Sequence, residues 1–138
     1  MAANTSPISP IAPATNWNAS VITAPNTAMD GTGTVGTCFT AGTNGARVNR
    51  INLEHLGSNV ATVMRFFLNN GLTNTTAANN SLLAEATIAL NTVSQVAASV
   101  PVTVALNCVL KPGYKINYTI GTAVAAGHAV CCPDAGDY

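Results

Sequence analysis

Charge is what this sequence has least of. Lys, Arg, Asp and Glu together make up 7% of its 138 residues, against about 25% in a typical soluble domain. Five cations balance five anions, for a net charge of zero. No field therefore exists to steer the chain toward nucleic acid or an anionic membrane surface, and both are excluded as partners. Aromatic residues are scarce too, at 5%, which leaves few flat faces for sugar rings. No apolar run reaches the length of a membrane span. The start, MAANTSPISPIAP, has neither a basic n-region nor a continuous apolar h-region, so the expectation is a protein made and kept in a cytosol. The sequons at Asn74 and Asn117 then carry no meaning.

Cysteine is limited to Cys38, Cys108, Cys131 and Cys132. They lack the CxxC pairs of a zinc site, and a reducing compartment argues against a disulfide framework. The expectation is small buried hydrophobes, with adjacent Cys131 and Cys132 on opposite faces of a strand.

What is present is Thr, Asn, Ser and Ala, with 48% hydrophobic residues overall. Neutral polar side chains stay wettable yet cost little to desolvate, because no ion has to be stripped of its water. Such a surface suits burial against other protein. The length is that of one domain with a core of its own.

Along the chain, residues 1–29 read as an extended N-terminal arm, rich in Pro, Ala, Asn and Thr and without regular alternation. Pro7, Pro10 and Pro13 fall every third residue with Ile8 and Ile11 between them, and Trp17 follows. A glycine-rich DGTGTVG at 30–36 reads as a hinge into a domain at 30–138. There the pattern becomes short β-branched and aromatic stretches divided by Asn, Gly and Pro. Strands are expected at 37–41, 47–56 with a bulge near Asn49 and Arg50, 60–68, 81–88, 99–110, 114–120 and 127–132. Helix competes with strand at 81–88. Asn44-Gly45 and KPGY at 111–114 are turns, the latter with Pro before Gly as type II requires. Phe67 and Phe66 give 60–68 two apolar faces, as in mid-sheet or under an interface. The fold class is all-β, an antiparallel β-sandwich or jelly roll with an extended arm.

Candidate chemistry is thin. His128 precedes Cys131, Cys132 and Asp134, but on a strand His128 and Cys132 are about 13 Å apart, too far for a nucleophile–base pair. Glu54 and His55 face opposite sides of a strand. Glu54 and Glu85 as a glycosidase pair lack an aromatic platform. DGTGTVG has no GKS or GKT and no helix after it, so it is no phosphate loop. Asp30 alone is far short of a calcium site. The expectation is a protein that is not an enzyme and holds no cofactor or metal. Arg47, Arg50 and Arg65 stand on strands expected to be neighbours, where they would pair with Glu54 or Glu85 or clamp a partner's carbonyls.

Four pieces, Thr40 to Arg47 (TAGTNGAR), Met64 to Gly71 (MRFFLNNG), Leu110 to Ile116 (LKPGYKI) and Ala135 to Tyr138 (AGDY), resemble in content and order the small virion proteins of tailed phages and prophages. The resemblance covers roughly 40–138, and none of its motifs is catalytic. It implies a virion β-sandwich, a capsid decoration or cement protein made in the host cytoplasm. Such a protein sits on the outer capsid surface as a homotrimer and straps major capsid protein subunits together. The arm anchors Pro7, Ile8, Pro10, Ile11, Pro13 and Trp17, with Arg47, Arg50, Arg65 and Tyr138 on the sandwich, would then be the protein interface. The alternative is a head-fibre or tail-associated lectin-like sandwich binding host-surface glycan through Trp17, Tyr138 and the Asn-rich loop 69–80.

Overall fold

The structure, a computed structural model, describes residues 12–13 and 21–138. The arm positions Pro7, Ile8, Pro10, Ile11 and Trp17 lie outside the described residues. Among the described residues eight strands follow one another: β1 (Ala12–Pro13), β2 (Gly36–Thr40), β3 (Ala46–His55), β4 (Thr62–Asn69), β5 (Asn80–Ile88), β6 (Val102–Leu110), β7 (Lys115–Ile120) and β8 (His128–Asp137). The helical piece among the described residues is a 3-10 turn at Ala77–Asn79. The segment that helix and strand contested, 81–88, is strand.

One sheet has the order β1-β8-β3-β6 and the other β2-β7-β4-β5. Every pairing is antiparallel. First pairs with last, second with next to last, third with sixth and fourth with fifth, which is the connectivity of a jelly roll. β4 to β5 is the one hairpin within a sheet; every other connection crosses from sheet to sheet. The Asn44-Gly45 turn therefore joins β2 and β3 in opposite sheets.

Alternation builds the core. Ile51, Leu53, Met64, Phe66, Ile116 and Tyr118 are among the side chains that fill the space between the sheets, each at most 1% exposed. Phe67 points the other way from Phe66 and is also fully buried, because β4 lies mid-sheet and the 30–33 turn covers it. A β-carbon at Gly31 would meet the Phe67 ring at 3.1 Å.

That turn is a fastened loop, where the sequence suggested a hinge. Asn26 Nδ2 donates to the carbonyls of Thr32 and Thr34, both at 2.8 Å, and Asn74 Nδ2 donates to Gly33 O at 2.8 Å. Upstream, Asn26 N donates to Ile120 O and Val124 N to Thr23 O, so 21–35 lies along the sandwich. At Ala12–Pro13 the backbone pairs with Gly136 and Asp137 at the outer edge of β8.

The bulge expected near Asn49 is present as a register shift between Val48 and Arg50. Opposite it Asn107 adopts φ 50°, a left-handed conformation that Asn tolerates better than most residues. β6 starts at Val102, three residues later than the sequence suggested. Pro101 stands just before it, where no ladder donor is needed.

Candidate functional site

Three connections meet at one end of the sandwich: 56–61 after β3, 89–101 after β5 and 121–127 after β7. None contains Asp, Glu, Lys or Arg. Their knot is Asn59, 3% exposed. Its Nδ2 donates to Gly127 O at 2.7 Å, its Oδ1 accepts from Ala126 N at 2.8 Å, and its backbone exchanges two hydrogen bonds with Asn91, both 3.0 Å. Asn91 Nδ2 donates to Gly57 O, and Ser58 Oγ accepts from Val93 N. One buried amide thus holds all three connections in register, because a buried polar side chain must find partners and these backbones offer them.

The frame presents apolar side chains outward. Val96 is 97% exposed, Val100 79% and Leu90 67%, with Val93, Leu56 and Val60 about half exposed. A shallow groove of about 480 Å³ runs between Val60, Leu90 and Val124, and a second of about 240 Å³ lies beside Leu56 and Val93. The sequence reading put Val100 within the strand at 99–110. The structure places it outside, in the connection before Pro101.

Beneath these loops lie the two histidines, directly opposite each other on β3 and β8, ring centroids 5.0 Å apart. His128 is 2% exposed. Burial, then the neighbouring His55 ring, brings its pKa down to about 4, so it is neutral at physiological pH. Glu54 accepts from Ser99 Oγ at 3.1 Å. Among the described residues, no group of three or more His, Cys, Asp or Glu is placed to hold a metal ion, and no helix is long and apolar enough to cross a membrane.

The sandwich residues named from sequence are dispersed. Arg47 and Arg50 lie exposed on the outer face of β3, with Arg47 Nε donating to Asn49 Oδ1 and Asn49 Nδ2 to Asp134 Oδ1. Arg65 lies on β4, in the other sheet, and pairs with Glu85 at 2.8 Å. The three are therefore not on neighbouring strands as expected, since the β3–β4 connection crosses the sandwich. Tyr138 is half-buried, and its N donates to Gly45 O at 3.1 Å.

The pieces that carry the phage resemblance gather at the opposite end from Asn59. Ala41 N donates to Tyr114 O, Gly113 N to Ala41 O and Gly42 N to Asp137 Oδ1. Gly45 (φ 86°) and Gly71 (φ 89°) need their glycines twice over: a β-carbon would lie 2.6 Å from Leu110 O and 2.7 Å from Gly113 O. These motifs lock turns together. In the Asn-rich loop, Asn69 Nδ2 donates to Asn80 Oδ1, Asn70 Nδ2 to Asn79 Oδ1, and Asn79 and Asn80 to the carbonyls of Thr73 and Asn74.

Leu90, Val93 and Val96 were not among the residues singled out from sequence. The signal was there in the length of the uncharged connection at 89–101, since long loops in compact domains are commonly functional. Comparison with protein-family models, with curated proteins and with solved structures finds no match.

Proposed function

We propose that this is a non-enzymatic structural protein of a virion, a decoration protein that binds the outer surface of a capsid as a homotrimer and strengthens the shell of major capsid protein. The observation that carries a docking role is the charge-free end of the jelly roll. There, exposed Leu90, Val93, Val96 and Val100 ride on loops that Asn59 fixes from below. Exposed apolar groups on a pre-organised frame lose little entropy on docking, and shedding their hydration water is favourable. The shell as partner follows from the resemblance of the turn motifs. Many copies on a lattice would turn modest single contacts into firm attachment.

The lectin-like alternative receives less support. The amides of Asn69, Asn70, Asn79 and Asn80 already bond within their own loop or to each other, which leaves few free to read sugar hydroxyls.

The test is co-sedimentation of the full chain with undecorated shells of the encoding phage, reading stoichiometry at saturation. Val93→Asp and Val96→Asp alter exposed side chains, so each variant is expected to keep its melting temperature and lose affinity by about tenfold or more. Unchanged affinity in both removes this end of the molecule as the docking face. Failure of the native chain to bind shells, with saturable binding to a glycan array, would replace the reading with the lectin-like one.

A further inference from the structure

Cys38 and Cys132 meet at the centre of the sandwich. Their Sγ atoms are 3.1 Å apart, Cys38 is 2% exposed and Cys132 is 0% exposed, and both are thiols. They come from different sheets, Cys38 from β2 and Cys132 from β8. Local irregularity brings them together. β2 carries a register shift between Thr37 and Phe39, which leaves Cys38 as the extra residue, so that Cys38 and Phe39 both point inward although they are neighbours. β8 carries a second shift, with Cys132 and Pro133 between the paired positions Cys131 and Asp134. Bulges re-aim side chains, and these two aim sulfur at sulfur.

We infer that Cys38 and Cys132 are a redox site, forming a disulfide that locks the two sheets together when the protein meets an oxidising medium. A bonded pair needs about 2.0 Å between sulfurs, so the two have roughly 1 Å left to close. The bond would close a loop spanning 94 residues, long enough for a large loss of freedom in the unfolded chain. The oxidant is a low-molecular-weight disulfide such as oxidised glutathione. One cysteine thiolate attacks it to give a mixed disulfide and releases one thiol. The second cysteine thiolate then displaces the other thiol and forms the Sγ–Sγ bond. In total the pair gives up two protons and two electrons, and the oxidant leaves as two thiols.

Burial makes this a slow site. The Cys38 thiol is held far above the ordinary thiol range by its hydrogen bond with Cys132 and by burial, and thiolate is the reacting form. Exchange therefore requires transient opening of the sandwich, and the bond, once made, is shielded from reductant in the same way. The inference does not depend on what the protein docks to.

The experiment is equilibration of the full chain in glutathione redox buffer with mild urea, followed by alkylation under denaturing conditions, intact mass and peptide mapping. The expected result is a mass lower by two hydrogens before alkylation, two of the four thiols blocked, and one cross-linked peptide joining Cys38 to Cys132. A rise in melting temperature on the order of 10 °C, reversed by full reduction, should accompany it. The double variant Cys108→Ser/Cys131→Ser, which keeps the pair and removes the other two thiols, should oxidise in the same way. Four alkylated thiols under the most oxidising buffer, or a bond joining Cys131 or Cys108 instead, would overturn the inference.

Discussion

Asn59 shows how much one residue can organise where charge is missing. Its side chain bonds both Ala126 and Gly127 across a chain separation of nearly seventy residues, and its backbone bridges Asn91. Asn59→Ala leaves a buried N–H and a buried C=O without their partners, at a cost of about 2–4 kcal/mol. Urea unfolding should show the loss, and amide exchange at Asn91 and Ala126 should quicken more than at Phe66 in mid-sheet; uniform quickening would mean that Asn59 stabilises the fold without organising the loops. His128 makes a different statement, about pH. Its folded pKa, about 4, lies below the ordinary value of about 6.5, so the unfolded chain takes up a proton that the folded chain refuses. The contribution is complete above about pH 6.5, declines as the pH falls, and levels off below about 4. At pH 5 the loss relative to pH 7.5 is about 2 kcal/mol. The urea midpoint should fall accordingly over that window in the native chain and should stay level there in His128→Asn.

Among the elements, what sequence made legible follows from local physics. β6 announces itself because Val102, Val104, Leu106, Cys108 and Leu110 alternate with Thr103, Ala105, Asn107 and Val109, and the structure keeps that alternation to the last residue. KPGY forms the expected turn, with Gly113 at φ 74° and Tyr114 N donating to Lys111 O. What stayed hidden depends on pairing between distant strands. Whether Arg65 neighbours Arg47 is decided by which sheet β4 joins, and no local signal at 56–61 says that this connection crosses over. The apolar end was hidden for the same reason: Val100 reads as part of the strand at 99–110, and nothing local says that the fold leaves it, with Leu90, exposed at one end of the sandwich. Residues 21–29 teach a related point. They read as part of the arm, yet Thr23 and Asn26 bond to Val124 and Ile120, and Ile22 packs against the core. Deletion of 1–20 is therefore expected to leave stability within about 1 kcal/mol of the full chain, whereas deletion of 1–28 removes those bonds and should cost about 2–4 kcal/mol more. Urea midpoints of the two truncations decide it, and equal midpoints would return 21–29 to the arm.

For the whole molecule, the shortage of charge leads to a prediction about how it binds. Among the described residues one ion pair forms, Arg65 with Glu85 on an outer face. The remaining arginines, Arg47 and Arg50, lie on the opposite face near Asp134. Two routes to a partner are thus physically separate: the neutral apolar end held by Asn59, and the arginine-bearing face of β3. They respond to salt in opposite ways. Contacts between exposed charges fade once ionic strength shortens the screening length to a few ångströms. Apolar burial is nearly indifferent to sodium chloride and is strengthened by sulfate, which is excluded from protein surface. If the neutral end docks, raising sodium chloride from about 0.05 M to 0.5 M should change affinity for shells by less than about threefold, and sodium sulfate at equal ionic strength should tighten it. A fall of tenfold or more in sodium chloride would assign docking to Arg47 and Arg50, and Arg50→Gln would then reproduce much of that fall at low salt while Val96→Asp left affinity unchanged. Because the two faces lie on separate parts of the jelly roll, the salt series and the two substitutions must agree, and the direction in which they agree identifies the face that meets the partner.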